Sequence, residues 1–299
     1  MQQPVDRVRA ASNRRIRISH LPGGWLVAGR PDSRVQVETR QIDGLDGGRL
    51  PLRIYRPKGR TASPRPVVVN FHGGGWVSGD AFQSEWWCAG IAAGVGAVVV
   101  SVEYRLAPEH RYPAAPEDCY AGTAWVAEHA DELGVDAARL AVMGDSAGGN
   151  LAAVVSLMAR DRGGPPIALQ VLIYPSVELI HGFPSEDENA DAPCLTKRDL
   201  DNVPRLYLTD VDRDGAQPYA SPLRGDAAGL PPAYIQTAQY DPLRDQGLAY
   251  AKHLESAGVA ARLDNYAQAV HGYISLPGLV PQAHEALRDA VAELSSRLA

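Results

Sequence analysis

The chain has 299 residues, a formal net charge of -6, 45% hydrophobic and 21% charged residues, a balance with no basic surface for nucleic acid. Its most apolar stretch, CAGIAAGVGAVVVSV, is broken by glycines and falls short of the roughly 20 apolar residues that a bilayer span requires; it reads as a helix end running into a strand. Cys88, Cys119 and Cys194 are an odd, widely spaced set without a CxxC pair, which argues against a disulfide framework or a zinc site and points to a reducing cytoplasm.

A chain of this length in an α/β pattern can close around one core, so a single domain over 1–299 is expected. The first seventeen residues hold Arg7, Arg9, Arg14, Arg15 and Arg17. A transit sequence or a polyanion-binding arm would use such residues, but a solvated, partly helical arm is the preferred reading, and no apolar run follows to make a secretory signal. Candidate strands then fall at 35–42, 50–57, 66–72, 97–105, 140–145, 167–175, 232–239 and 261–268. The first two alternate with period two and have no helix between them, so they should pair antiparallel at one edge. Helical patterns at about 81–95, 117–133, 147–161, 243–257 and 282–298 separate the later strands. That alternation demands right-handed crossovers and a mostly parallel sheet with helices on both faces. Residues 1–34 and the acidic, proline-containing insertion 176–230, with a helical piece near LTKRDLDNVPRLYL, break the rhythm and are expected to form a lid over one end of the sheet.

The chemistry concentrates at strand ends. LAVMGDSAGGNLAAVV reads strand, then Gly144-Asp145-Ser146-Ala147-Gly148, then helix. A serine held on so tight a turn needs neighbours without side chains, and in this context GxSxG is a nucleophile elbow rather than a plain N-cap serine. A serine hydroxyl needs a base, and the base needs an orienting group. Asp241, after the strand PAYIQTAQ, and His271, after ARLDNYAQ, follow in the order Ser, Asp, His. Asp241 before Pro242 also reads as a helix cap, and Asp245 and Asp264 are the competing acids.

Attack by Ser146 on an ester carbonyl would place negative charge on its oxygen, and backbone N–H groups aimed there stabilise it. In HGGGW the N–H groups of Gly74 and Gly75, joined by that of Ala147, are the candidate oxyanion donors, with His72 bracing the loop. A phosphate cradle is the rival for such a glycine run, but no Lys-Ser or Lys-Thr follows it. Trp76, Trp86, Trp87 and Tyr174, with Phe183 and Tyr207, are candidate walls of a substrate pocket or ordinary core aromatics.

HGGGW, VEYRLAPEHRYPAAPED, GDSAGGN, YDPLRDQG and HGY, in this order over roughly 35–299, resemble the hormone-sensitive lipase family of α/β-hydrolases, whose bacterial branch is the family IV esterases. The resemblance implies an α/β-hydrolase fold with an eight-stranded, mostly parallel sheet. It also implies a helical cap from about 1–34 and 176–230, and hydrolysis of carboxylic esters without cofactor or metal. Tyr273 stands where the family more often has Phe, and the N-terminal cap segment is short. Short- to medium-chain small-molecule esters are the expected substrates, through an acyl-enzyme. An acyltransferase, a non-catalytic ligand-binding protein on the same fold and an amide hydrolase are the alternatives. No nucleic acid or membrane span is expected, and a homodimer through the last strand and terminal helix is possible.

Overall fold

The computed structural model describes residues 9, 23–59, 61, 63–180 and 182–299. Of the arginine-rich arm, Arg7, Arg14, Arg15 and Arg17 lie outside the described residues. Eight strands alternate with six longer helices in the order β1 (Val35–Asp43), β2 (Arg49–Pro57), β3 (Arg65–Phe71), α1 (Glu85–Val95), β4 (Val98–Val102), α2 (Ala114–Glu128), β5 (Val135–Asp145), α3 (Ala147–Arg162), β6 (Leu169–Ile173), α4 (Lys197–Tyr207), β7 (Ala233–Tyr240), α5 (Arg244–Ser256), β8 (Ala261–Val270) and α6 (Gln282–Arg297). Short helical turns cover Trp25–Ala28, Ala130–Leu133, Pro184–Glu188 and Val211–Gly215.

All eight strands form one sheet in the order β1-β2-β4-β3-β5-β6-β7-β8. As the sequence predicts, β1 and β2 pair antiparallel; β2 runs against β4 as well, and every later pairing is parallel. β5 begins at Val135, earlier than the apolar run from Leu140 suggests, because backbone pairing of Arg65 with Val135 extends it through Asp136, the two alanines and Arg139.

Alternation along the central strands feeds two cores. Val67, Val69 and Phe71 face one side with Val100, Val142 and the α3 residues Leu151 and Val155. Val68 faces the other with Val99, Met143, Trp87 and Ile91 of α1, and Ala283 and Ala286 of α6. Burial on both faces is what the near-continuous Val runs of a parallel sheet require.

The chain leaves β3 toward β4 on one side and later enters β5 on the other. The C-terminal ends of β3 and β5 therefore sit side by side at a switch in strand order, with Phe71 paired to Gly144. In open α/β sheets a crevice opens at this point. Within 176–230, α4 starts sharply at a capping box: the Thr196 hydroxyl accepts from the Asp199 N–H while the Asp199 carboxylate accepts from the Thr196 N–H.

The stretch 103–118 is an anchored turn. Asp118, buried, accepts the backbone N–H of Arg105 and, along one guanidinium edge, its Nε and Nη2. Arg9 docks beside it, donating to the carbonyls of Val77 and Ala107 at 2.9 Å each and pairing with Glu109. The hydrogen bonds from Arg9 pull the Glu109 carboxyl down to about 2. Among the described residues, no helix is long and apolar enough to cross a membrane.

Candidate active site

Ser146 stands between β5 and α3 with φ 55 and ψ -116, a conformation that costs a non-glycine residue of order 1–3 kcal/mol. The chain tolerates it because its neighbours lack side chains. A Cβ on Gly148 would lie 2.0 Å from the Phe71 carbonyl oxygen, and one on Gly144 would lie 2.2 Å from that of Gly148. The Ser146 N–H is bonded to the Ile173 carbonyl at 2.9 Å, which ties the turn to β6. Both glycines of the GxSxG match thus have a steric reason.

Asp241 and His271 follow β7 and β8 at the same sheet end. His271 Nε2 lies 3.0 Å from Ser146 Oγ, and His271 Nδ1 lies 2.8 Å from Asp241 Oδ2. With the carboxylate accepting from Nδ1–H, the Nε2 lone pair faces the serine hydroxyl. Asp241 is fully buried and uses both oxygens: Oδ1 accepts the Leu243 N–H at 2.8 Å in a turn ahead of α5, whose N-cap is Leu243 without a side-chain cap, so Asp241 is not the helix cap that the Asp-Pro pair suggests. The rival acids are engaged elsewhere. Asp245 accepts from Ser185 N–H and Arg244, and Asp264 from Tyr234 and Arg262. Tyr174 supports the imidazole face, ring centroids 4.7 Å apart, and is itself braced edge-on by Tyr273 at 5.1 Å.

The glycine loop after β3 is bolted to the elbow. The Gly73 N–H donates to Asp145 Oδ1 at 2.9 Å, and a Cβ on Gly73 would lie 2.4 Å from Asp145 Oδ2. Burial raises the Asp145 carboxyl above its ordinary range, opposed by His72, the Gly73 N–H, His271 and Tyr174. His72 is fully buried, stacked on Tyr104 at 4.2 Å, with Nδ1 2.9 Å from the Gly73 carbonyl. Gly74 and Gly75 take φ 124 and 62, the left-handed region that favours glycine. Among the described residues, the N–H groups of Gly74, Gly75 and Ala147 have no hydrogen-bond acceptor, and all three residues border the same cavity as Ser146 and His271.

That cavity has a volume of about 620 Å³. Trp76 and Trp86 line it; Trp87 and Tyr174 do not. Adjacent residues on a helix point about 100° apart, so Trp86 turns to the cavity while Trp87 enters the core and donates to Met143 Sδ at 3.1 Å. Tyr174 lies behind His271 rather than in the wall, its hydroxyl 3.4 Å from Asp145 Oδ2. Phe183 is not in the wall, and Tyr207 is buried beneath Trp76, ring centroids 4.4 Å apart. Residues not anticipated from sequence complete the lining: Trp25 and Phe82 near the mouth, Leu179, Leu195, and Leu200 and Val203 of α4. Val203 rests on the glycine loop, its Cγ1 3.0 Å from where a Gly75 Cβ would be. A periodic pattern showed α4 but not which sheet end its apolar stripe covers.

The α/β-hydrolase fold family matches residues 68–275. An esterase of Mycobacterium tuberculosis, LipI, is 47% identical over 261 residues, covering 86% of this chain and 82% of its own. The carboxylesterase NlhH of the same species is 44% identical over 271 residues, covering 90% and 84%. Among solved structures, the hyperthermophilic esterase of Pyrobaculum calidifontis superposes with a TM-score of 0.87 at 40% identity, covering 100% of this chain and 93% of its own. With the elbow, the ordered Ser, Asp and His, and the glycine loop on one sheet end, the chain belongs to the α/β-hydrolase family, in its hormone-sensitive lipase-like, family IV branch.

Proposed function

We propose that the chain is a serine carboxylesterase acting on short- to medium-chain carboxylic esters, with Ser146 as nucleophile, His271 as base and Asp241 as orienting acid. The observation that carries this reading is the continuous relay of 3.0 Å and 2.8 Å contacts from Ser146 Oγ through His271 to buried Asp241. Relatives named esterase and carboxylesterase, similar over most of their length, support it.

In the reaction, His271 Nε2 takes the Ser146 proton as Oγ bonds to the ester carbonyl carbon. The resulting oxyanion is met by the N–H groups of Gly74, Gly75 and Ala147. Collapse breaks the bond to the alkoxy oxygen, which leaves with the proton from His271. Water, deprotonated by His271, then attacks the acyl-enzyme, and the acid and free Ser146 are regenerated. Residues 176–230 and the segment at 25–31 act as a cap over this site, since both contribute to the cavity wall. Val203 and Trp76 limit the acyl space. Glu178, Glu186, Asp199 and Asp201 line the cavity against Lys197, which favours uncharged over anionic esters.

Cys88 and Cys119, buried and without a disulfide, fit a reducing cytoplasm. The edge position of β8 beside α6 offers a surface for a two-fold dimer. An alcohol replacing water would make the same site an acyltransferase, so both acceptors belong in any assay. A fluorophosphonate probe tests the nucleophile: its adduct should map to Ser146 and vanish in Ser146→Ala, and an adduct mapping elsewhere would overturn the assignment.

A further inference from the structure

The direction of the Gly74 N–H is set by its neighbour's carbonyl. Within one trans peptide unit the C=O of residue 73 and the N–H of residue 74 lie in a plane and point to opposite sides. Whatever holds the Gly73 carbonyl therefore aims the Gly74 N–H. Among the described residues, side chains alone hold it: Gln83 Nε2 donates at 2.8 Å and His72 Nδ1 at 2.9 Å. The next peptide is held differently. The Gly74 carbonyl accepts backbone N–H groups from Ser78 at 3.1 Å and Val77 at 3.3 Å, with Ser78 Oγ at 2.8 Å, so the loop's own backbone aims the Gly75 N–H.

His72 neighbours Gly73 in the chain, so its contact is local to the loop. Gln83 approaches from ten residues away, just before α1, and so ties the loop to an independent element. The space for it is reserved by Gly79, φ 95, where a Cβ would lie 2.5 Å from the Gly73 carbonyl oxygen and 3.0 Å from Gln83 Oε1. Gln83 also borders the cavity, so the bond forms at its edge. We infer that Gln83 is a positioning residue of the oxyanion hole: it turns the Gly73–Gly74 peptide so that the Gly74 N–H faces the reacting carbonyl. This rests on the esterase reading above.

Two variants test it. Gln83→Leu keeps bulk and removes the donor; Gln83→Glu keeps the shape and, once ionised, sets a carboxylate against a carbonyl. A misaimed donor should cost part of the 10²- to 10³-fold that a lost one costs, about 10-fold in kcat for Gln83→Leu. KM for p-nitrophenyl butyrate should stay within about twofold, since the ground-state carbonyl gains little from the donor. Affinity for a trifluoromethyl ketone, which forms a tetrahedral oxyanion on Ser146, should fall by the same factor as kcat, with the thermal midpoint unmoved. The kcat of Gln83→Glu relative to wild type should rise as pH falls through the carboxyl range, because a protonated carboxyl donates again. Wild-type kcat and ketone affinity in both variants, or a fall in kcat with ketone affinity unchanged, would overturn the inference alone. A folded wild type without ester turnover would overturn the esterase reading and this inference with it.

Discussion

Asp241 carries two loads that one pair of substitutions separates. Its Oδ2 faces His271 Nδ1 and its Oδ1 holds the Leu243 N–H, each at 2.8 Å. Asp241→Asn keeps an oxygen for Leu243 and places an NH₂ against the imidazole. Nδ1 must then act as acceptor, the proton moves to Nε2, and the base toward Ser146 is lost. A carboxylate-to-amide change at this position costs about 10⁴-fold in kcat, while the fold keeps its turn. Asp241→Ala loses the imidazole partner and the turn together. A lost buried hydrogen bond to the turn costs about 1 kcal/mol, which lowers the thermal midpoint by roughly 1.5 °C at an unfolding entropy of about 2 cal/mol/K per residue. Steady-state hydrolysis of p-nitrophenyl butyrate and thermal denaturation of both variants read the two effects separately. The reasoning fails if Asp241→Asn keeps more than about a tenth of wild-type kcat, or if Asn and Ala lower the midpoint equally.

Other consequences follow from the site's neighbours. Burial raises the Asp145 carboxyl, so its ionised form opposes folding once pH exceeds the ordinary aspartate range. Asp145→Asn, which keeps an acceptor for Gly73, should therefore gain midpoint relative to wild type as pH climbs from 4 to 8 and gain nothing below; a difference that is flat or shrinks with pH would contradict this. Gly148→Ala puts a methyl 2.0 Å from the Phe71 carbonyl oxygen and should destabilise by about 3 kcal/mol or more in urea titration. Val203→Ala should move the preferred acyl chain toward longer esters, and Val203→Trp should confine turnover to acetate, as read from a p-nitrophenyl ester series.

The sheet was legible as mostly parallel because its Val-rich runs alternate with helical periods, and the candidate site because strand ends carry it. Ser146, Asp241 and His271 each directly follow a strand, so their meeting at one sheet end needed only the strand order. The helix cap read from Asp241-Pro242 does not form: α5 begins two residues later than that reading places it, and Asp241 holds the Leu243 N–H of the preceding turn instead. The cavity wall was not legible: Trp86 and Trp87 are indistinguishable in sequence until a helix phase assigns one to the cavity and the other to Met143. Val203 and Gln83 escaped for a related reason. Their roles depend on tertiary contacts with Gly75 and Gly73 that no local pattern encodes.

The measurement that bears most directly on the account is hydrolysis of p-nitrophenyl acetate, butyrate, octanoate and palmitate by wild type, Ser146→Ala and His271→Ala, with folding checked for each. The account predicts turnover of the shorter esters by wild type and its loss in both variants. Wild-type inactivity toward every ester, or a Ser146→Ala variant that hydrolyses them at the wild-type rate, would contradict it.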